Sequence, residues 1–508
     1  MTAEAATPSL SGAEARRAAR NAGAILVARL VSSGALFAWQ IVLGTWLGVR
    51  EFGVYGTVGA LFAVAAPLAS FGMGIIVIRD VARKPERAGD YLTATLFLQT
   101  TFALLAYAGM NAGAALLGYP AEIRAFAAVA GISLFVDLLG NLCFDQLIAR
   151  ERMVTASSVD VAHILARIGL AALALAAGYG LLGVYVATLL TGSARSLVLA
   201  LALWRSGVRP ASKLNRNIAA LLLVNSAPLA ISAFLSLAYQ HADKLMTTSL
   251  IGETGTGYLT AAFVIIYGVV DLLSTTILIA TFPMMSRVYG ADGRGNLFGF
   301  IVQKLAFFTL LISLPLSLTL SAFATDLMAP LLGEDFRPSA EVLRVLIWYA
   351  LVTMVVNVFA QGLMVQNRQR RLLALRAFGL ALNIVLNLLL IPRLGAVGAA
   401  VASVAAEGAV LALILLTFRA AGLDWRPQLP RLLRLVALGV LVALAMRVLG
   451  DVHPLLGIAG GLALYAGGVF AARVLAADDW DLLYRLTAAM PGGALVLRFW
   501  RRSVELGW

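Results

Sequence analysis

The sequence predicts an all-α, polytopic membrane protein of about 14 transmembrane helices: two six-helix lobes related by a pseudo-twofold along the membrane normal, plus two extra C-terminal helices. Three observations predict it. Hydrophobic residues make up 61% of the 508 and charged residues only 13%, far from the roughly 45–50% apolar and 25% charged composition of soluble domains. The apolar residues fall in runs of about 20, the length that crosses a roughly 30 Å hydrocarbon core. Landmarks also recur in order: YGLLGVYVAT at 179–188 is echoed by LGAVGAAVAS at 394–403, and Phe144-Asp145-Gln146 by Phe359-Ala360-Gln361, both at a shift of about 215. At a shift of about 204, Leu47-Gly48 and Gly53 fall on Ile251-Gly252 and Gly257. Repeated landmarks of this kind indicate two copies of one helical unit with a site between them.

In order, a polar tail at 1–21 precedes an N-lobe at 22–204, with runs near 22–47, 54–78, 91–117, 124–148, 156–178 and 182–204. The tail carries Arg16, Arg17 and Arg20 but no apolar run of signal-peptide form. A linker at 205–217 containing Pro210 leads to a C-lobe at 218–418, with runs near 218–250, 257–286, 298–324, 340–366, 372–391 and 397–418. Two further runs lie within 432–474, and a tail at 475–508 mixes Trp480, Trp500 and Trp508 with Arg485, Arg498, Arg501 and Arg502. That composition suits a segment resting on anionic inner-leaflet lipid. Abundant Gly and Ala fit close helix–helix approach where lipid removes the hydrophobic drive. Pro67, Pro228 and Pro315 fall inside predicted spans, where each removes a backbone donor.

The net charge of +13 reads as a topology signal rather than a nucleic-acid patch. With both termini cytoplasmic, 27 of the 39 Lys and Arg fall in the tails and inner loops, and only Arg50, Arg124, Arg337, Arg393 and Arg447 in outer loops. This is the positive-inside bias. Six helices per copy is an even number, so both copies enter from the same face as parallel repeats.

Ionisable groups inside the bilayer cost at least roughly 2.5–3.5 kcal/mol on insertion scales, so each is expected to face protein or water. Arg29, Asp137, Asp145, Asp160, His163, Arg167 and Arg195 are such groups in the first copy; Asp243, Lys244, Asp271 and Glu407 are in the second. Asp160, His163 and Arg167 share one helix face by their spacing of three and four. Two readings stay open: an ion-pair network that locks helices together, or a cationic cavity in which Arg29, Arg167, Arg195 and Lys244 meet an anionic substrate, arginine being suited to phosphate by its planar fork. Asp137, Asp271 and Glu407 are candidates for charge pairing or for proton or cation coupling. His163 is either a packed histidine or a proton switch. The lone Cys143 excludes an intramolecular disulfide. There is no Walker-type loop, no metal-spaced His/Cys cluster and no nucleophile elbow, so the expectation is a non-enzyme with no cofactor, no metal and no nucleic-acid partner.

The run ALNIVLNLLLIPRLGAVGAAVASVAAE at 381–407, with Asn383, Asn387, Pro392, Gly395, Gly398 and Ala399, resembles a pattern of bacterial polysaccharide exporters and Wzx-type O-antigen flippases. LGVREFGVYG at 47–56, ADKLMTTSLIGETGTGYLTAA at 242–262 and TFPMMSRVY at 281–289 are similar to the same family, although Leu259 follows Tyr258 where relatives often carry a second Tyr. The resemblance implies the multidrug/oligosaccharidyl-lipid/polysaccharide exporter superfamily. It further implies an inner-membrane flippase that carries an undecaprenyl-pyrophosphate-linked oligosaccharide to the periplasmic leaflet by alternating access, with a polysaccharide polymerase and glycosyltransferases as partners. A cation-coupled drug antiporter and a lipid II flippase share that scaffold. A membrane-embedded glycosyltransferase is the reading from another class, and it calls for a larger outer loop than the one near Thr325 to Ser339.

Overall fold

The computed structural model describes residues 12–270, 276–292, 296–420, 426–476 and 479; the side chains of 12–31 and of a few residues beside the other boundaries fall outside that description. Among the described residues every regular element is helical. In order they are α1 (Gly12–Ser70), α2 (Met73–Arg83), α3 (Ala88–Leu116), α4 (Ala121–Ala149), α5 (Met153–Ala176), α6 (Gly180–Arg205), α7 (Arg216–Val270), α8 (Thr276–Asp292), α9 (Asn296–Ala322), α10 (Ala324–Leu332), α11 (Ser339–Val365), α12 (Gln369–Leu394), α13 (Ala396–Ala420), α14 (Leu429–Gly450) and α15 (Pro454–Ala471). Among the described residues, twelve helical segments are long and apolar enough to cross a membrane, which makes this a multi-pass membrane protein.

Two of the twelve are each a pair of crossings. At a rise of 1.5 Å per residue, a straight helix would separate Gln40 from Tyr55 by about 22 Å, yet Gln40 Nε2 donates to Tyr55 OH at 3.3 Å. The chain therefore doubles back, and it does so at Gly48, whose φ of 70° and ψ of 175° no helix accommodates. α7 repeats the device: Gly252 has φ 84° and ψ −175°, and Tyr267 OH reaches the carbonyl of Gln240 at 3.2 Å. A glycine tolerates such angles because it has no Cβ. Counting both arms of each, fourteen crossings result, and the Gly48/Gly252 pair marks the same turn in each copy. The second pair of landmarks behaves alike, with Gly180 at the first residue of α6 and Gly395 just before α13, both at positive φ.

The chain divides into two compact units, Met1–Arg287 with Ala324–Ile414, and Val288–Phe323 with Leu415–Trp508. In the first, the two copies meet backbone to backbone. A Cβ added to Gly53 would stand 1.9 Å from the carbonyl oxygen of Glu253, and one added to Gly257 would stand 2.1 Å from that of Val49. With the shift of 204, Val49 corresponds to Glu253 and Gly53 to Gly257, so these two contacts are images of each other. Such reciprocity marks a local twofold. Thr57 and Thr248 hydroxyls, 2.6 Å apart, and Thr248 and Thr256 hydroxyls, 2.7 Å apart, add a buried hydrogen-bonded ladder there. Tyr119 OH donates to the carbonyl of Leu245 at 2.8 Å, a further tie between the copies.

Between α1 and α2 the helix breaks at Phe71 and Gly72, with φ of 50° and 66°, four residues past Pro67. Gln99 Nε2 on α3 donates to the freed carbonyl of Ser70 at 2.9 Å, and the Phe71 ring stacks on Phe102 at 4.0 Å. Non-glycine residues in this region cost of order 1–2 kcal/mol, which the stacking and the amide bond offset.

The second unit gathers α9, α14 and α15, so α9, expected within the lobe at 218–418, groups with the two additional helices. Leu314 and Leu318 of α9 pack where Gly439 leaves α14 without a side chain, and Tyr465 OH on α15 donates to Leu311 O at 2.7 Å. Fully buried Asp479 pairs with Lys304 of α9 and accepts from Arg431 of α14 at 3.5 Å. The other tail residues named from the sequence, Trp480, Trp500, Trp508 and their arginines, lie outside the described residues.

Candidate functional site

Within the first unit, α5 carries Asp160, His163 and Arg167 on one face, and that face lines a cavity of about 280 Å³ together with Asp137 and Asn141 of α4, Arg195 of α6 and Leu36 of α1. The α4–α6 crossing is close because Gly140 has no side chain; a Cβ there would stand 2.5 Å from Arg195 Nη1 and 2.7 Å from Ser196 Oγ. The Arg195 guanidinium runs over that gap. Its Nε donates to Asp160 Oδ1 at 2.6 Å and its Nη2 to Asn141 Oδ1 at 3.0 Å. Arg195 is nearly buried, with a side chain 9% exposed, whereas Asp160 is one-third exposed to the cavity. A paired charge of this kind avoids the several kcal/mol that an isolated ion costs out of water.

The remaining charges are not paired off. Arg167 and Asp137 make no ion pair or hydrogen bond among the described residues, and both border the cavity. The pocket is therefore of mixed charge rather than purely cationic: one arginine is committed to Asp160, and one stands free. A second cavity, of about 650 Å³, adjoins it through Asp137 and Asn141, and also reaches Asp145, Gln99, Phe62 and two serines of α7, Ser232 and Ser236.

Of the other sequence candidates, Arg29 lies in α1 but its side chain is outside the described residues, and Asp271 is outside them altogether. Lys244 lines neither of these cavities. It is buried on α7 with Nζ 5.3 Å from the Phe263 ring centre and 5.7 Å from that of Tyr267, where the ring faces attract the cation. Its neighbour Asp243, turned about 100° away on the helix, meets α12 and α13. Asn383 and Asn387 donate from Nδ2 to Asp243 Oδ1 at 2.8 and 2.7 Å, and Ser403 Oγ donates to Oδ2. One turn along, Tyr239 OH donates to Glu407 Oε2 at 2.7 Å, so Tyr239 and Asp243 of α7 face Glu407 and Ser403 of α13 in antiparallel register. Glu407 is fully buried and its Oε1 has no hydrogen-bond partner among the described residues.

The sequence marked Asp243 and Glu407 as charges in apolar runs and Asn383 and Asn387 as family landmarks; that they meet in one polar knot was not legible beforehand. Replacing Asp243 by alanine strands the Asn383 amide, while Asn387 keeps Asn383 Oδ1 and Ser403 keeps Ala399 O, and the expected cost is about 1–3 kcal/mol. Thermal unfolding of the detergent-solubilised protein would show it as a drop in Tm, with Asp243→Asn intermediate. An unchanged Tm for Asp243→Ala would contradict the structural weight given to the knot.

Residues 42–341 match the profile of a family described as "Polysaccharide biosynthesis protein". Among solved structures, the chain resembles a lipid II flippase MurJ in an inward closed conformation, at 13% identity and a TM-score of 0.71 over 88% of this chain and 98% of that one. It also resembles an inward-facing multidrug resistance MATE family transporter of the MOP superfamily, at 16% identity and a TM-score of 0.61 over 76% and 95%. A third is a MOP superfamily transporter from Pyrococcus furiosus whose binding pocket is described as of reverse polarity, at 17% identity and a TM-score of 0.56 over 78% and 96%. No curated protein sequence matches. At these identities the solved structures establish the fold alone, that of MOP-superfamily transporters, and because the family profile spans more than half of the sequence, the chain belongs to the polysaccharide biosynthesis protein family.

Proposed function

We propose that the protein is a flippase that moves an undecaprenyl-pyrophosphate-linked oligosaccharide from the cytoplasmic to the periplasmic leaflet of the bacterial inner membrane during surface-polysaccharide assembly. The observation that carries the reading is the free Arg167 guanidinium beside Arg195 at one cavity inside a multi-pass helical unit. A pyrophosphate cannot cross hydrocarbon unaided, whereas its polyprenyl tail stays in lipid, so the protein has to shelter only the headgroup. Arg167 supplies a planar fork for a phosphate, and the Asp160 and Asn141 contacts fix Arg195 in place beside it.

On this reading both termini are cytoplasmic, no covalent chemistry occurs, and the cargo is received from glycosyltransferases and passed to a polymerase. With the inside negative, outward movement of the anion gains roughly 2.3 kcal/mol per charge per 100 mV. Fully buried Glu407 and Asp243 favour a second reading on the same scaffold, a cation-coupled small-molecule antiporter.

Proteoliposomes test both. With undecaprenyl-pyrophosphoryl-linked oligosaccharide in the bilayer, the expected result is protein-dependent exposure of sugar to an impermeant lectin, faster under an imposed potential. Translocation no faster than in protein-free vesicles, combined with proton- or sodium-driven transport of a cationic dye, would replace the first reading by the second.

A further inference from the structure

We propose that the 650 Å³ cavity is the saccharide subsite of this headgroup site, and that it admits neutral or amino sugars and excludes uronic acids. The inference rests on the flippase reading and adds the class of sugar nearest the pyrophosphate.

The cavity is of a size that holds small-molecule ligands, about 300–1,000 Å³. It borders the arginine pocket through Asp137 and Asn141, so a pyrophosphate held by Arg167 would place the first sugar at its mouth. Its polar lining is rich in hydrogen-bond acceptors. Asp137 and Asp145 make no ion pair or hydrogen bond among the described residues. Gln99 is buried with its Nε2 committed to Ser70 O, which leaves its carbonyl oxygen for the cavity. Ser232 and Ser236, one turn apart on α7, complete the polar side, and the Phe62 ring offers an apolar face. Sugar hydroxyls are donors that match carboxylate and amide oxygens, and the C–H face of a pyranose matches an aromatic ring. With Arg195 committed to Asp160 and Arg167 taken up by the pyrophosphate, a uronate brings a third carboxylate beside Asp137 and Asp145 in a space where water screens poorly.

The repeat separates what the fold needs from what the cavity needs. Phe144-Asp145-Gln146 corresponds to Phe359-Ala360-Gln361, and both glutamines make tertiary hydrogen bonds, Gln146 donating to Ala88 O and Gln361 Oε1 accepting from Thr281 Oγ1. The position between them is a buried alanine in the second copy and a carboxylate at the cavity in the first. The scaffold thus accepts Ala there, so the acid at Asp145 answers to the cavity. Gly74, just past the break in the helix, leaves room for it; a Cβ there would stand 2.4 Å from Asp145 Oδ2.

The test uses the full chain in lipid nanodiscs and three probes: farnesyl pyrophosphate, farnesyl-pyrophosphoryl-N-acetylglucosamine and farnesyl-pyrophosphoryl-glucuronic acid, each titrated for its Kd. The N-acetylglucosamine probe is expected to bind at least about tenfold tighter than the glucuronic acid probe. Asp145→Asn is expected to narrow that gap by tightening the glucuronic acid probe. Equal affinities for the two sugars, or tighter glucuronic acid, with farnesyl pyrophosphate still bound, would overturn the sugar assignment and leave the pyrophosphate reading intact. Binding of none of the three would overturn both. The wild-type comparison decides the question even if the variant fails to fold.

Discussion

Replacing Arg195 by alanine is expected to reduce surface-glycan export to background while the protein remains in the membrane, read as glycan display and protein abundance in cells that depend on this gene. The side chain holds Asp160 and Asn141 with two donors of one fork, and its charge faces the cavity beside Arg167. Removing it frees Asp160 to compete for Arg167, so both cations are lost to an incoming anion. Arg195→Lys keeps the charge but cannot bridge both partners, and intermediate export is expected. Asp160→Asn separates binding from bracing. If Arg195 served only to lock α5 to α6, this variant would fail as badly as the alanine; if the guanidinium meets phosphate, Asp160→Asn retains export. Because Arg195 is nearly buried and also holds Asn141, the loss of export in Arg195→Ala is read together with protein abundance, which is expected to match wild type.

The largest loss of stability is expected from Gly257→Val. A Cβ at this position meets the Val49 carbonyl oxygen at 2.1 Å and its carbon at 2.9 Å. Both are main-chain atoms of a helix end, so no side-chain rotation relieves the clash, and the helices of the two copies must separate. Overpacking in cores that can adjust costs about 1–3 kcal/mol; here a cost above that range is expected, with little folded protein recovered. Gly59→Ala, where the added carbon meets nothing within 4 Å, is the control and should leave yield and Tm unchanged. Recovery of Gly257→Val at wild-type yield and Tm would dismiss the close contact between copies.

The architecture was legible because lipid leaves few options: backbone groups must be satisfied within each segment, and each crossing then shows as an apolar run. The repeat was legible because turn positions constrain composition, so Gly48 and Gly252, or Gly180 and Gly395, announce themselves. The arginine cavity was partly legible, since a charge in an apolar run is conspicuous and Asp160, His163 and Arg167 are spaced for one face. What stayed hidden was lateral position. Lys244 stood out by charge, but Phe263 and Tyr267, which surround it, lie on the returning arm of its own hairpin, a proximity that linear spacing does not encode. Asn141, Gln99 and Ser403 are neutral, and a neutral polar residue on a transmembrane helix gives no sign of which neighbour it addresses. The grouping of α9 with α14 and α15 was equally invisible, because it depends on which small residues happen to abut.

If the protein moves its cargo by alternating access, as proposed, the contact of Gly53 with Glu253 and of Gly257 with Val49 constrains how the repeats can rock. Main chain resting on main chain, without intervening side chains, leaves no slack for sliding, so relative tilting of the repeats must use that spot as its fulcrum. Points near it stay almost still, whereas a tilt of about 15° sweeps a point ~30 Å away through ~8 Å. On that reading the throw is greatest at the end farthest from this bearing, toward the last turns of α2, where Arg79 pairs with Asp80 and Tyr91 braces it, and a lever of that length turns a modest angular change into an aperture of the size a sugar needs.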